Sequence, residues 1–458
     1  MLLTEEVQRK VGVLLPQQSC RLLRLRTTTR QGTLTEAVRF QDKETESVCT
    51  FHYNDPLVVR TQLLRYQSFT TGLFPRQSSD KHVGYVRDSL YCAMACWALG
   101  RAYQRIDDDR GKIYELGQSA VKTMRGILMA WMNQCDKLEA FKLDPCPANA
   151  LHSKFDLISG AAVASHEDYN HLQIDVVSLF LITLCQLIES GLPVIFSEDE
   201  VHFVQNLVFY IDRAYRTPDF GIWEQGTRYN NGTCELNASS LGMAKAALEA
   251  INGFNLYGSE GATGSVIYVD IDAHNRNRTT FDTLLPRESF SKNTDVALMA
   301  TVGFPCFATH RGPYISKTMS KIERRLEGKY GYKRFLRDGE GTVKHDTKRR
   351  FYNFGETKFF DSIECQWPMF FSLQVINAIF AGDDDKATDY YEKLEPLLLP
   401  SIDGPIMPKY YYVPADLVHE EKKDPGSQIM VAARDPNCPA RDTIFLWGQS
   451  MYIISALL

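Results

Sequence analysis

The chain has 458 residues, of which 44% are hydrophobic and 23% charged, the balance of a soluble globular protein with one large domain or two to three ordinary ones. Its formal net charge of −5 gives no general pull towards nucleic acid or acidic membranes, so no nucleic-acid partner is expected. The 11 cysteines stand singly, without a C-x-x-C pair, as the reduced thiols of an intracellular, cytoplasmic protein do.

No secretory signal is legible, and no apolar run reaches the roughly 18 residues of a membrane span. The N-x-S/T triplets at Asn231, Asn237 and Asn277 are therefore read as chance. Residues 1–50 carry Arg21, Arg24, Arg26 and Arg30, a threonine cluster from Thr27 to Thr35 and no sustained period. They are expected to form a variable, poorly ordered arm, in which Arg24-Leu25-Arg26-Thr27 is a short pattern that suits a basic-directed kinase. Residues 51–458 are expected to form one domain.

Val58, Leu63 and Leu64 mark a first helix, and Thr70 to Pro75 a turn. Leu90, Met94, Trp97 and Ala98 recur every three to four residues, which predicts a helix from Tyr85–Val86 to about Arg105. Cys92 and Cys96, one turn apart on it, are read as small buried residues and not as a metal pair. Asp107 to Asp109 breaks that helix. Leu116, Val121, Met124, Leu128 and Trp131 predict the next, to about Phe141. From Val176 to Ile188 the sequence is apolar on almost every side, the mark of a helix buried all round. Gly191 ends it, Ser197 with Glu200 forms a capping-box pattern, and an amphipathic helix runs on to Tyr215. An all-apolar helix followed by an amphipathic one predicts inner and outer layers, the plan of an all-α, α/α toroid.

A small-faced helix is expected over Glu235–Ile251, a short strand over Ser265–Asp270, and a helix with the stripe Ile315, Met319, Ile322 and Leu326. The opposite face of the last carries Lys317, Lys321, Arg324 and Arg325. That is either a solvated outer helix or a calmodulin-type target. Glu340–Tyr352 is charged and expected to be exposed. An apolar helix through Phe371 to Phe380, an amphipathic one over Asp383–Leu398, a proline-rich stretch from Pro400 to Pro439 and a closing helix around Trp447 complete the chain. The chain ends within that closing helix, which is expected to be cut short.

Between two of the helices lies the loop Pro218-Asp219-Phe220-Gly221-Ile222-Trp223-Glu224. An indole face packs on the C–H face of a sugar ring, and apolar surroundings raise a carboxyl group towards the range of a general acid. Alternatively, Trp223 fills a core gap and Glu224 caps a helix. There is no Walker loop, no G-x-G-x-x-G, no zinc spacing and no nucleophile elbow, and no metal or cofactor is expected. Loops dense in Trp, Tyr, Arg, Asp and Glu at one end of a toroid form a polar cleft with aromatic walls, which is sugar-binding chemistry.

Four of these stretches resemble, in order, the motifs of glucoamylases: Tyr85-Val86-Arg87-Asp88, His171-Leu172-Gln173-Ile174-Asp175, Gly221-Ile222-Trp223-Glu224 and Trp447-Gly448-Gln449-Ser450. Longer runs are similar to the large regulatory subunits of phosphorylase kinase: Glu235-Leu236-Asn237-Ala238-Ser239-Ser240, Lys333 to Gly339 and Ile363-Glu364-Cys365. Ala250 to Leu256 and Lys409 to Asp416 look like the β rather than the α branch.

The resemblance implies a glucoamylase-like (α/α)6 toroid within a longer subunit of a complex with α, γ and calmodulin (δ) subunits, where γ is the kinase that activates glycogen phosphorylase. It implies sugar-gripping roles for Arg87 and Asp88, helix-start positions near that sugar for Gln173 and Asp175, and the general-acid position for Glu224. The position of the general base falls on Lys409, whose ammonium cannot take a proton from water. The expectation is therefore a non-catalytic regulatory subunit with a vestigial site at Glu224 and Lys409. The competing expectations are an active glucan hydrolase, with Glu224 as acid and Glu364 or Glu420 as base, and a module docking the complex on glycogen or malto-oligosaccharide. The family's carboxy-terminal prenylation signal, a membrane anchor, is not in this sequence.

Overall fold

The computed structural model describes residues 56–106, 109–163, 171–258, 261, 263–346, 349, 352–434 and 443–458. The amino-terminal arm with its kinase pattern, and Asp107 and Asp108, lie outside the described residues.

The centre is a ring of six helices: Val86–Ile106, Ile174–Glu189, Ala238–Ile251, Ala297–Val302, Met369–Ala381 and Leu446–Leu457. Each of the first three packs on the next, and Leu446–Leu457 packs on both Met369–Ala381 and Val86–Ile106, closing the ring. Ala297–Val302 joins Met369–Ala381 through Phe304, whose N–H donates to Asn377 Oδ1 at 2.7 Å and whose ring stacks on Phe380. Sequence composition explains the inner position. Ile174–Glu189 is buried at every residue from Ile174 to Ile188, and burying one of its Leu or Phe side chains stabilises the fold by roughly 1.5–3 kcal/mol. Ala238–Ile251 gains its place by being small. A Cβ on Gly242 would lie 2.3 Å from Thr301 Cγ2 and 2.6 Å from Phe281, so glycine permits the close approach of a ring neighbour and an outer helix.

The outer layer alternates with the inner one along the chain. Arg110–Met132, Glu198–Ile211, Ile271–Leu284, Gly312–Leu326 and Asp384–Leu394 each pack on the inner helix that precedes them. Pro56–Gln62 meets the closing helix through Gln62, which accepts from Gln449 Nε2 at 2.6 Å. Outer helices bury one stripe, as Gly312–Leu326 does with Thr318, Ile322 and Leu326. The result is the (α/α)6 toroid. Ser197 caps Glu198–Ile211 by accepting from Glu200 N–H, as its pattern predicts. Short antiparallel pairs stiffen the loops, among them Val83–Tyr85 with Lys154–Asp156, where Tyr85 stands opposite Lys154. No described helix is long and apolar enough to cross a membrane.

Several local expectations need correction. Ser265–Asp270 is not a strand: a single turn of 3-10 helix covers Thr263–Ser265, and Val266 makes only an isolated bridge to Asn255. The helix to Phe141 is two helices, Arg110–Met132 and Cys135–Leu143. The stretch after Glu340 is not uniformly exposed, since Thr342 is buried. The apolar stripe of the basic helix is committed to the hydrophobic core, so a calmodulin-type grip would have to pull Gly312–Leu326 off its neighbours. Asn237 and Asn277 are buried, which closes two of the three glycosylation triplets to modification. The described cysteines are free thiols.

Candidate functional site

The loop at Asp219 is pinned before its catalytic-looking residues begin. Asp219 is fully buried and accepts from Ile174 N–H at 3.0 Å, Asn237 Nδ2 at 2.8 Å and Ser240 Oγ at 2.7 Å. One carboxylate thus caps one inner helix and grips the start of the next. Burial pushes it up to about 6 against the pull of those donors. From this anchor the chain turns through Glu224, whose φ of 61° is in the left-handed region, a conformation costing a non-glycine residue on the order of 1 kcal/mol.

Glu224 is not held as a general acid. Its Oε1 accepts from Arg76 at 2.7 Å and its Oε2 from Lys154 at 2.8 Å. Burial alone would raise its pKa, but Lys154, Arg76 and Arg87 outweigh that and hold it well below the usual carboxylate range. This corrects the expectation of apolar surroundings: two cations, and not an apolar wall, face the carboxylate and favour its ionised form. One cation, Arg76, comes from a loop and the other, Lys154, from the strand Lys154–Asp156, and both lie over the Tyr85 ring, at 4.1 and 5.0 Å, so the triad ties three segments together.

Beside it, Arg76 lies 3.9 Å from Asp88 Oδ2, so Asp88 and Glu224 face the same guanidinium. Arg87, Gln173 and Asp175 form a buried network: Arg87 donates to Asp175 Oδ2 at 2.7 and 3.0 Å and to Gln173 Oε1 at 2.8 Å. Trp223 lies beneath the mouth, not on its wall. It is 9% exposed, donates to both oxygens of Asp295, and its ring neighbours Trp367, Phe370 and Trp447. Arg334, paired bidentately with Asp338, lies 4.9 Å over the Trp223 ring and 5.5 Å over Trp367.

Lys409 belongs to the same cluster, within electrostatic reach of Asp88, Arg76, Arg334 and Glu340. Burial lowers its pKa, and the carboxylate of Glu340 opposes that shift. The alternative bases stand elsewhere. Glu364 is buried and bonded to Lys333 Nζ at 2.8 Å and Arg337 N–H at 2.7 Å. Glu420 is exposed and pairs with Lys423 on the short helix Val418–Lys423. Sequence reasoning missed Arg76, Lys154 and Glu340, none of which stands in a recognisable motif. A cavity of about 310 Å³ lies among Arg213, Tyr215, Arg216, Asp270, Asp272 and Arg276, none of them a residue of the mouth. Among the described residues no group of His, Cys, Asp and Glu could hold a metal ion.

The fold and the mouth together define a six-hairpin glycosidase-type domain in which Glu224 is paired with Arg76 and Lys154. The family described as Glycosyl hydrolases family 15 matches residues 58–458, and the chain belongs to it. It is 51% identical over 402 residues to the probable phosphorylase b kinase regulatory subunit beta of Drosophila melanogaster, covering 88% of this chain and 35% of that protein. It is 46% identical to the probable alpha subunit of the same organism, covering 88% and 32%. With the skeletal muscle alpha subunit of Oryctolagus cuniculus it shares 42%, again covering 88% and 32%. The chain spans about a third of the length of these relatives. A solved structure named Glycosidase Wild Type superposes with a TM-score of 0.59 at 17% identity, covering 87% of this chain and 95% of that one, a likeness of fold alone.

Proposed function

We propose that this chain is the glucoamylase-like part of a regulatory, non-catalytic subunit of a phosphorylase kinase complex, the β-type subunit, acting on glycogen breakdown through a partner kinase and not through chemistry of its own. The partners in this reading are the kinase (γ), α and calmodulin subunits. Similarity to regulatory subunits over 88% of the chain supports it. The single observation that carries the non-catalytic part is Glu224 held between Arg76 and Lys154. Inverting hydrolysis needs one protonated and one ionised carboxyl group flanking the bond. Here the first is fixed as an anion and the position of the second is an ammonium. The test is affinity purification of the tagged chain from cytosol. A kinase subunit and calmodulin in stoichiometric amounts are expected. A chain that elutes alone and releases glucose from dextrins overturns the reading.

A second reading, that the mouth retains sugar binding, is favoured by one specific observation. Asp88 Oδ1 is buried without a hydrogen-bond partner among the described residues, a demand that a ligand hydroxyl would meet.

A further inference from the structure

We propose that Lys409 and Glu340 contact ligand directly, as a donor and an acceptor for the hydroxyls of a neutral sugar. Lys409 thus becomes a binding residue in place of a lost base. The proposal rests on the sugar-binding reading above.

The two side chains are neighbours by construction. Gly341, with φ 77°, lies so close to Tyr410 that a Cβ would stand 2.5 Å from that ring, and this contact brings Glu340 beside Lys409. Both are half-buried. Around them almost every charge is committed: Glu224 to Arg76 and Lys154, Asp175 to Arg87, Asp338 to Arg334. Lys409 and Glu340 are the exceptions. Among the described residues the ammonium makes no hydrogen bond or ion pair and has only the rings of Tyr410 at 5.6 Å and Trp367 at 5.8 Å. Glu340 bonds only through its backbone, N–H to Asp338, and its carboxylate feels Arg334, Lys409, His345 and Arg76 without touching them.

Two further groups of the cluster are unsatisfied. Asp88 Oδ1 and Trp367 Nε1 are buried with no partner among the described residues, in residues 1% and 4% exposed. The unmet groups are thus mixed: two donors, Lys409 and Trp367, and two acceptors, Glu340 and Asp88. Each sugar hydroxyl both donates and accepts, so a polyol is the ligand class that answers such a set. The charge balance points the same way. Each cation of the mouth has a carboxylate beside it, which leaves no excess to attract a phosphate or a sugar acid.

The test is titration calorimetry on the 458-residue chain with maltose, glucose and glucose 6-phosphate, using the wild type and the variants Lys409→Met, Lys409→Arg, Glu340→Ala and Glu340→Gln. Circular dichroism and thermal midpoints serve as the check of folding. Maltose is expected to bind. Lys409→Met and Glu340→Ala are each expected to weaken it about 10–150-fold, the loss of a hydrogen bond to a charged group. Lys409→Arg should stay within about threefold because it keeps donors at the same place. Glu340→Gln, the milder variant, should fall between wild type and Glu340→Ala. Wild type that ignores maltose overturns the sugar-binding reading and this proposal together. Wild type that binds, with folded variants that bind equally well, overturns the roles of Lys409 and Glu340 and leaves the sugar-binding reading standing. Glucose 6-phosphate binding more than about tenfold tighter than glucose overturns the neutral class.

Discussion

On the Glu224 side of the mouth, the charges of Glu224, Arg76, Lys154, Arg87 and Asp175 are bonded to one another. Arg76 and Lys154 close on one carboxylate from two segments, and Arg87 closes on Asp175. On the Lys409 side, an ammonium and a carboxylate stand near each other and bond to nothing described. The same residue types do opposite things. Charges satisfied within the chain hold loops in place and lose their chemistry, because a paired carboxylate cannot be protonated near neutral pH. Charges left open contribute little to the fold and stay available for a ligand.

The contrast predicts a graded set of stabilities. The largest effect is expected behind the bonded side, at Asp219. Asp219→Ala removes a buried carboxylate that serves three donors and should cost about 3–5 kcal/mol in chemical denaturation. A cost under about 1 kcal/mol would show that the loop is held by other means. Glu224→Gln comes next, at about 2 kcal/mol near neutral pH, because it leaves Arg76 and Lys154 facing each other in a partly screened site. Its sign with pH is fixed. The folded-state pKa is depressed, so the carboxylate's contribution is fully present above the unfolded value of about 4.3 and is lost as pH falls below it. The gap between wild type and Glu224→Gln in thermal midpoint should therefore narrow from pH 6 to pH 3. A gap that widens would contradict the ion-pair account.

Glu288 provides the opposite sign. It is buried, accepts from Ser239 Oγ and N–H, and is pushed up to about 8 by burial and by Asp295. Its protonated form is the one folding favours, so stability falls as pH rises from about 4.3 towards 8. Relative to wild type, Glu288→Gln should gain stability between pH 5 and pH 8. A constant difference across that range would assign Glu288 no titration. The smallest effect is expected on the open side. Lys409→Met should change stability by no more than about 0.5 kcal/mol, and a loss above 2 kcal/mol would mean that the ammonium holds the fold after all.

The fold was legible where one physical demand dominates a long stretch. Ile174–Glu189 is apolar all round because it is buried all round, and Gly312–Leu326 shows one stripe because one face is buried. Ala297–Val302 escaped notice because six residues are too few to display a helical period. Ile271–Leu284 escaped because it buries only Ala273, Asn277 and Phe281, although Asp270 before it is a capping residue that could have marked its start.

At the site, the motif residues Arg87, Asp88, Gln173, Asp175 and Glu224 were readable from short ordered runs, and the structure brings them into one cluster. The residues that decide their chemistry were not readable. Arg76 and Lys154 lie 148 and 70 positions from Glu224, and the Pro75–Gly84 bridge and the paired strands at Tyr85 and Lys154 bring the two cations together. Glu340 stands in a charged stretch that looks solvated, and its place beside Lys409 depends on a glycine packed against Tyr410.

In the proposed reading the mouth has no glycosidase chemistry because Glu224 is paired with two cations and an ammonium, Lys409, stands in place of a base. Introducing Lys409→Glu alone should then restore no turnover, since Glu224 still lacks a proton. Lys409→Glu with Lys154→Met weakens both obstacles, and Glu224→Gln in that background should abolish any activity that appears. The most direct measurement is glucose release from maltose and short dextrins by the unmodified chain between pH 3 and pH 8. The account predicts none above the uncatalysed rate at any pH. Glucose release that disappears in Glu224→Gln would contradict it, because the carboxylate between Arg76 and Lys154 would then be acting as an acid.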